Sequence, residues 1–390
     1  MNTFMLGELA VMKYGKLPPK EILEAGCPIF TGYRVSGYAT ECLYESPMLV
    51  VVARGVGGTG DVKLSPPRSW ITNLSIVLDL DDRKADKKFM CYFLGQQSLK
   101  EKLNTGSAQA QITVNALLTF QVTIPALPVQ RRIASILRAY DDLIENNTRR
   151  IAILEEMARR IYEEWFVRFR FPGHEGVRMV ESELGLVPEG WRVTALGQLA
   201  EVNARSVRRG AERTEIRYVD ISSVSTGSID NKEWMLFADA PGRARRIVRD
   251  GDVIWACVRP NRKSYALVVD PEPNLLVSTG FAVLSPMSAP SSFIYQCVTT
   301  DDFVSHLVNH AKGAAYPAVS ADDFENAKVL KPASDLVTAF DRIAAPMMRL
   351  VAILQVKNAN LRTTRDLLLP KLISGELDVS SISEPEALAA

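Results

Sequence analysis

The chain has 390 residues, of which 47% are hydrophobic and 23% charged, and its 46 Lys+Arg and 45 Asp+Glu leave a formal net charge of +1. This composition is that of a globular protein, so it excludes a disordered, collagen-like or low-complexity chain, and the length predicts about two or three domains. A net charge this close to zero argues against a protein that coats nucleic acid or membranes indiscriminately, but it leaves room for a locally basic face.

The cysteines give no sign of a disulfide framework or a metal site. There are five, an odd number, and they are widely scattered without a CxxC pair, at Cys27, Cys42, Cys91, Cys257 and Cys297. The N-terminus does not have the pattern of a signal peptide, and no apolar run approaches the roughly 18 residues that a membrane helix needs. We therefore expect a reduced, cytoplasmic chain that does not associate with a membrane.

In chain order, the first feature to stand out is an internal repeat. The segment LGELAV at 6–11 returns as LGQLAEV at 196–202. Further along, a constant offset of 207 gives seven matched positions between 106–125 and 313–332. Matches at both ends of two long segments predict that one architecture is used twice, with middles that differ.

The middle of each copy has the pattern of short strands. Apolar and β-branched runs bounded by Gly, Pro, Asp and Ser occur twice in each copy, at 47–54, 73–80, 252–259 and 278–286. A short helical pattern precedes the Gly that opens each matched segment. Each copy is therefore predicted to be a mixed α/β unit.

A long helical pattern follows each unit. In the first, apolar residues from Ile133 to Trp165 alternate at spacings of four and three with Asn147 as the only polar member, which is typical of a coiled-coil seam. The second pattern, from Leu336 to Leu368, is less pure and includes Ile343. Pro346 should kink this second helix or divide it in two. We expect two antiparallel helices, with a helix pair in one compact domain as the alternative.

The layout of unit, helix, unit and helix resembles the specificity subunit of type I restriction-modification enzymes. The segments that carry this resemblance are IPALPVQRRIASIL at 124–137, ILEEMARRIYEEWFVRF at 153–169, ELGLVPEGWRVTALGQLAEV at 183–202 and LRTTRDLLLPKLISGEL at 361–377. The chain departs from the family pattern at the start of the second helix, where KPASDLVTAFDRI replaces the usual Pro-Leu-x-x-Gln.

The resemblance implies an α+β fold with two mixed α/β target recognition domains, separated by a long antiparallel two-helix coiled coil and related by an internal pseudo-two-fold repeat. The expected parts are recognition domain 1 at 1–127, spacer helix 1 at 128–170, a linker at 171–190, recognition domain 2 at 191–333, spacer helix 2 at 334–378 and a C-terminal tail at 379–390.

By the same resemblance, each recognition domain reads one half of a bipartite, asymmetric sequence in double-stranded DNA. The helices dock two methyltransferase subunits, and a restriction subunit is a further partner. The chain itself is then not an enzyme and needs no cofactor or metal, because S-adenosylmethionine is expected on the methyltransferase subunit. Two different recognition domains at a fixed distance would require two different half-sites. The separation of the half-sites would be set by the distance between the domains, as it is in dimeric DNA-binding proteins.

Two other classes of function remain as alternatives. One is an assembly protein whose coiled coil presents two protein-binding modules and does not contact DNA. The other is an enzyme with an unrecognised Cys/His site, for which His306 and His310 have the helical spacing of a metal pair. The sequence around Ser65-Pro66-Pro67-Arg68 lacks the aromatic residue of an adenine methyltransferase motif, because Arg68 stands in its place.

Basic residues are unevenly distributed within the second copy. Residues 191–263 contain 14 Lys+Arg against 9 Asp+Glu, whereas 264–333 are acidic overall. Arginine and amide side chains suit both phosphate contact and base readout, although individual members of this set could be ordinary surface residues. The predicted DNA contacts are Lys13, Arg34, Arg54, Lys63, Arg68, Gln109 and Gln111 in the first copy, and Arg205, Arg208, Arg209, Arg243, Arg245, Arg246, Arg259, Asn261, Arg262, Lys263 and Tyr316 in the second.

The end of the first long helix carries a dense group of arginine and aromatic side chains. We expect part of this aromatic area to exceed what a helix pair can bury and to serve partner subunits. The residues predicted for docking are Arg159, Arg160, Trp165, Phe166 and Phe169.

Overall fold

A computed structural model describes residues 1–55, 58–106, 109–207 and 214–379. The chain divides into two compact units, the first formed by Met1–Glu145 with Ala359–Ala390 and the second by Asn146–Asn358. Each unit has its own hydrophobic core. Two long helices contribute a segment to each unit.

The first unit is built on short strands that precede the first long helix. Its strands are β1 (Asn2–Met5), β2 (Ala10–Tyr14), β3 (Cys27–Phe30), β4 (Val35–Ala39), β5 (Leu49–Val52), β6 (Val62–Leu64), β7 (Trp70–Ile71), β8 (Ser75–Leu80) and β9 (Gln121–Ile124). Its helices are α1 (Lys87–Gly95), α2 (Leu99–Leu103), α3 (Val114–Leu118) and the start of α4 (Leu127–Tyr162).

An antiparallel sheet in the order β2-β8-β5-β6 forms the centre of the first unit. All four residues of β5 are fully buried, because both faces of this central strand are covered. Helix α1 begins at a cap in which the Asp86 carboxylate accepts a hydrogen bond of 2.8 Å from the Phe89 amide. Its buried face, with Phe89 and Met90, packs against the sheet in one cluster with Leu137 of α4.

The second unit contains more strands and three short helices. Its strands are β10 (Met179–Ser182), β11 (Gly185–Pro188), β12 (Arg192–Ala195), β13 (Ala200–Val202), β14 (Glu215–Val219), β15 (Val224–Ser225), β16 (Ser228–Ile229), β17 (Glu233–Leu236), β18 (Ala244–Ile247), β19 (Val253–Ala256), β20 (Tyr265–Leu267), β21 (Leu275–Ser278), β22 (Phe281–Pro286) and β23 (Lys328–Lys331). Its helices are the end of α4, then α5 (Ser291–Thr299), α6 (Asp301–His310), α7 (Ala321–Glu325) and the start of α8 (Ser334–Ser374).

The two units repeat the same strand plan, as the sequence repeat predicts. The order β2-β8-β5-β6 returns as β13-β22-β19-β20, and the pair β1-β9 returns as β12-β23. A parallel contact between β3 and β7 has its counterpart between β14 and β21. An isolated antiparallel bridge between Arg54 and Gln111 in the first unit has its counterpart between Val258 and Ala318 in the second. The prediction that one architecture is used twice is confirmed at the level of strand order.

Both long helices are continuous, and this resolves one prediction. Helix α8 runs without a break from Ser334 to Ser374, so of the two alternatives at Pro346, a kink or a division into two helices, the division is wrong. Pro346 lies on the exposed side of the helix, where water can hydrogen-bond the carbonyl that the missing N–H leaves free. Helix α4 ends at Tyr162 in one turn of π-helix, Glu163–Val167.

Within the second unit the two long helices run antiparallel. The Tyr162 and Phe340 rings lie 5.9 Å apart, and Asn147 donates a hydrogen bond of 3.0 Å to Asn358. The buried positions of α8 differ from the predicted seam, because Ala344 is fully buried whereas Ile343 is 38% exposed. A spacing rule cannot choose between adjacent apolar positions when the helix also packs on the rest of the unit.

Inside the first unit the same two helices again meet through polar contacts. Arg365 of α8 forms an ion pair of 2.6 Å with Asp141 of α4, and Arg132 donates a hydrogen bond of 3.0 Å to the Val379 carbonyl. These two contacts define an antiparallel arrangement within this unit as well. The coarse prediction of a mixed α/β fold with two long helices is therefore confirmed.

The cysteines are less scattered in space than in sequence. Cys27 and Cys42 form a disulfide pair in the first unit, with Cα atoms 5.5 Å apart, which corrects the expectation of five isolated thiols. Cys27 lies in β3 and Cys42 in the loop that follows β4, and no pattern in the sequence indicates that they are in contact. None of the helices in the described ranges is long and apolar enough to cross a membrane.

Candidate nucleic-acid interface

The loop between β19 and β20, residues 257–264, forms a strained and exposed turn in the second unit. It contains a short 3-10 helix, Pro260–Arg262, flanked by Arg259 and Lys263, whose φ angles are both +53°. A left-handed conformation at a residue other than glycine costs about 1–3 kcal/mol, so the surrounding structure must hold it in place. The Arg259 amide donates to the Pro317 carbonyl at 2.7 Å, and Thr226 donates to the Lys263 carbonyl at 3.0 Å.

The same loop fixes the direction of the Arg259 side chain. Its guanidinium lies over the Tyr316 ring, 4.7 Å from the ring centre, and donates a hydrogen bond of 3.4 Å to the Ala315 carbonyl. A guanidinium stacked on an aromatic face keeps its remaining N–H donors free for a ligand. Tyr316 is 69% exposed, so this stacked pair stands at the surface.

Beside the stacked pair is a surface cavity of about 420 Å³ that collects arginines from separate parts of the chain. Arg243, Arg259 and Arg262 line it together with Asp220 and Tyr316. Arg243 forms an ion pair of 2.7 Å with Asp220 and a hydrogen bond of 3.1 Å with the Tyr218 hydroxyl. Three guanidinium groups against one carboxylate make the lining cationic, which suits an anion such as phosphate or the acceptor edge of a base.

Arg262 is the least constrained of these three arginines. Across the described ranges its guanidinium has neither an ion pair nor a side-chain hydrogen bond, and the residue is exposed. Lys263, the next residue, is paired at 2.7 Å with Asp301, and Asn261 is exposed. The structure therefore brings four predicted residues to one cavity, Arg243, Arg259, Arg262 and Tyr316, and Asn261 is exposed on the same loop.

Other arginines predicted for this unit lie elsewhere. Arg205 was predicted to contact DNA, but its side chain reaches inward. It forms an ion pair of 2.9 Å with Asp252, whose side chain is 3% exposed. Arg245 lies 5.5 Å from the centre of the Phe237 ring, and the Arg246 Nε is buried without a hydrogen-bond partner among the described residues. Arg208 and Arg209 lie outside the described residues.

In the first unit, the corresponding loop follows β5 and begins at Arg54. The Tyr33 hydroxyl donates a hydrogen bond of 3.3 Å to the Arg54 carbonyl, and its ring lies against Gly55 and Gly58. A Cβ added to Gly58 would lie 2.7 Å from this ring, at a φ of +90°, so both the space and the conformation require glycine there. Tyr33 thus packs against the loop after β5, whereas an arginine-lined cavity lies beside the loop after β19 in the second unit.

The remaining predicted residues of the first unit are dispersed. Lys13 lies 5.5 Å from the centre of the Tyr44 ring, Lys63 pairs with Asp61 at 3.8 Å, and Arg68 pairs with Glu45 at 3.5 Å. Arg34 and Gln109 are exposed. The Gln111 backbone bridges Arg54, which places it at the base of the loop.

The aromatic residues predicted to dock partners are largely in the core of the second unit. Phe166 is only 4% exposed, and its ring packs against Phe293 at 5.1 Å and Phe340 at 5.3 Å. Phe166 is therefore unavailable to a partner, because α5 and α8 cover it, which the sequence of α4 alone could not reveal. Trp165 and Phe169 are half-buried, while Arg159 and Arg160 are exposed and paired with Glu156.

The two histidines with the spacing of a metal pair each form a hydrogen bond between a ring nitrogen and a backbone carbonyl. His306 Nε2 lies 3.4 Å from the Asp323 carbonyl, and His310 Nδ1 lies 2.8 Å from that of His306. Within the described ranges no group of three or more His, Cys, Asp or Glu side chains could hold a metal ion. Sequence inspection missed Asp220, which lines the arginine-lined cavity, and Tyr33, which packs on the loop after β5, because neither is basic.

Comparison with known proteins agrees with this architecture. The family profile described as "Type I restriction modification DNA specificity domain" matches residues 1–156. The type I restriction enzyme MjaIX specificity subunit of Methanocaldococcus jannaschii is 24% identical over 304 residues, covering 76% of this chain and 70% of that protein. The HindI specificity subunit of Haemophilus influenzae is 21% identical over 329 residues, covering 68% and 71%.

A solved structure has the same fold along nearly the whole chain. The crystal structure of the S subunit of a type I restriction-modification system from M. genitalium superposes with a TM-score of 0.68 at 19% identity, covering 95% of this chain and 96% of that one. The profile match covers residues 1–145 of the first unit and extends eleven residues into the second, whose sheet repeats the strand order of the first. The chain is therefore similar to the type I restriction modification DNA specificity domain over residues 1–156, and to specificity subunits of type I restriction enzymes along most of its length.

Proposed function

We propose that this chain is the DNA-reading, non-catalytic subunit of a type I restriction-modification enzyme. Residues 1–127 and 191–333 would each read one half of a bipartite, asymmetric site in double-stranded DNA. The observation that carries this proposal is the duplicated sheet, which presents an equivalent loop in each unit, after β5 and after β19. The second of these loops lines a cationic cavity with Arg259 and Arg262.

The long helices would serve as a spacer and as a docking surface. In this proposal residues 128–170 and 334–378 form an antiparallel coiled coil that binds two methyltransferase subunits, and a restriction subunit joins the complex in the cytoplasm. Polar contacts between the helices, such as Asn147 with Asn358 and Asp141 with Arg365, support a defined pairing within each unit. The methyl donor, S-adenosylmethionine, would be bound by the methyltransferase subunit.

A salt-titrated binding assay tests the proposal on the assembled complex. The full chain is combined with its methyltransferase partner, and affinity is measured on a duplex containing the methylated motif of the host genome and on a scrambled duplex. Specific binding should be at least about a thousandfold tighter, and both affinities should fall steeply with salt as counterions are released from phosphates. Binding that is insensitive to salt and to sequence would favour a scaffold that presents protein-binding modules.

A further inference from the structure

A second cavity lies inside the second unit, between its segments of α4 and α8 and strand β20. Its volume is about 310 Å³, within the range of roughly 300–1,000 Å³ that is usual for small-molecule sites. The apolar part of its wall includes Leu267 of β20 and Met348 and Val351 of α8. A ligand of this cavity would therefore bury an apolar stem.

Four of the polar side chains in the wall have no hydrogen-bond or ion-pair partner among the described residues. Across the described ranges, no hydrogen bond or ion pair is made by the side-chain polar groups of Glu155, Tyr265, Tyr295 or Gln296. Gln296 is only 5% exposed, so its amide can find a partner only within this cavity or the small depression beside it. Buried polar groups are almost always hydrogen-bonded, so a ligand with N–H donors in the cavity would give this amide a partner.

Glu155 is an exposed residue whose side chain lines the cavity on the α4 side. A Cβ added at Gly227 would lie 3.2 Å from Glu155 Oε1 and 3.3 Å from the Tyr295 hydroxyl, so the two oxygens converge on one position. Burial raises the pKa of the Glu155 carboxyl above its ordinary value. Burial, followed by the negative charge of Glu155, raises the pKa of Tyr265 to about 12.

The charges around the cavity favour a cation. Glu155 and Glu156 are its acidic residues and Arg159 is its only basic one, and Arg159 is already paired with Glu156 and Glu163. The Tyr265 and Tyr295 rings meet edge to face at 6.0 Å and add two aromatic surfaces to the wall. A carboxylate next to aromatic rings is a usual arrangement for binding organic cations.

We propose that this cavity binds an organic cation with several N–H donors on a short apolar stem, that is, an alkylammonium or guanidinium group. Glu155 would accept from the cation, Gln296 and the Tyr295 hydroxyl would complete its hydrogen bonds, and the apolar wall would pack on the stem. The group could belong to a free polyamine or to a lysine or arginine side chain of a partner subunit. This site does not depend on the DNA-reading role proposed above.

Titration calorimetry of the full chain tests the cavity with agmatine, which carries both an ammonium and a guanidinium group. We expect saturable one-to-one binding that Glu155→Gln weakens at least tenfold and Tyr295→Phe weakens severalfold. Glu201→Gln, which removes an exposed carboxylate from β13 of the same unit, is the matched control and should leave binding unchanged. Unfolding midpoints of all variants, measured without ligand, separate loss of the site from loss of the fold.

Three results would overturn the proposal. These are no saturable binding up to about 10 mM agmatine, equal binding by Glu155→Gln, or an equal loss in Glu201→Gln, which would indicate general attraction to surface acids. Repeating the titration on the complex with the methyltransferase distinguishes the two sources of the cation. Agmatine should still bind if the ligand is a free polyamine, and it should be excluded if a partner's side chain fills the cavity.

Discussion

Two arginines of the second unit illustrate how position decides the role of a residue. Arg205 and Arg262 both lie in basic segments of the sequence, yet Arg205 neutralises the buried Asp252, whereas Arg262 stands exposed and without an ion pair among the described residues. Asp252 also accepts a hydrogen bond of 2.8 Å from the Arg249 amide, so its charge belongs to the structure of the turn before β19. The first arginine therefore stabilises the fold, and the second is available to a ligand.

Replacing Arg205 by Ala should destabilise the second unit. The buried Asp252 carboxylate would lose its counter-charge, and removing one partner of such a pair costs about 3–5 kcal/mol. Urea denaturation followed by tryptophan fluorescence should show a clear loss in the free energy of unfolding. Stability equal to that of the natural chain would mean that Arg205 does not hold Asp252 in solution.

Replacing Arg262 by Ala should weaken DNA binding and leave the stability of the fold unchanged. Because its side chain makes no contact that the fold needs, we expect the unfolding midpoint to stay the same while affinity for cognate DNA falls by about 1–3 kcal/mol if it reads a base. Loss of a phosphate contact would instead weaken all sequences alike and reduce the salt slope by about one. Fluorescence anisotropy on cognate and scrambled duplexes distinguishes these outcomes.

Arg259→Ala extends this test to the stacked pair, and assembly with the methyltransferase, followed by gel filtration, is the control. Both variants should form the complex normally. Unchanged affinity for cognate DNA in both would remove the loop after β19 from the proposed interface.

At the scale of elements, the contact between the long helices in the second unit depends on a polar pair. Asn147 donates to Asn358 at 3.0 Å, and Asn358 donates to the Thr148 hydroxyl at 3.2 Å. Asn358 is 3% exposed, so its amide must be satisfied within the protein. A buried asparagine on a helix seam costs some stability, but it favours the one register in which its partner is present.

Asn147→Leu should destabilise the second unit, because the buried Asn358 Oδ1 would lose the N–H donor of Asn147. We expect a cost of about 1–3 kcal/mol. The double variant Asn147→Leu with Asn358→Leu should cost less than the sum of the two single changes, which a double-mutant cycle in urea measures. Asn146→Leu, at the neighbouring exposed position, controls for helix propensity. Strict additivity would show that the two amides do not interact.

At the scale of the whole molecule, duplication accounts for the proposed function better than any single residue does. The same strand order occurs twice with different side chains beside the equivalent loops, since Tyr33 packs on the loop after β5 and arginines line a cavity beside the loop after β19. Similar frameworks with different recognition loops would read different half-sites. This is the physical basis for an asymmetric bipartite target.

A change in the spacing of the two half-sites should therefore abolish specific binding. Inserting five base pairs between them turns one half-site by about half a helical turn relative to the other, since B-DNA has about 10–10.5 base pairs per turn. We expect affinity of the assembled complex to fall to the level of a scrambled duplex. Retained affinity would mean that the two units do not bind one site together.

The amino-acid sequence by itself determined the repeat, the class of fold and the two long helices. These depend on local patterns, because strand periodicity, turn residues and heptad spacing are read along the chain without knowing what packs against it. The matched segments 106–125 and 313–332 predicted the repeat, and they contain the equivalent bridges at Gln111 and Ala318. The resemblance to type I specificity subunits followed from the same patterns in their order.

Only the tertiary structure decided which members of each pattern are available for function. Phe166 is buried by residues distant in sequence and Arg205 is paired with the buried Asp252. Ala344 replaces Ile343 on the helix seam, and Cys27 meets Cys42. The physical reason is that burial and pairing depend on long-range contacts, which residue type and spacing do not encode. The arginine-lined surface and the cavity around Glu155 likewise exist only because separate segments fold against each other.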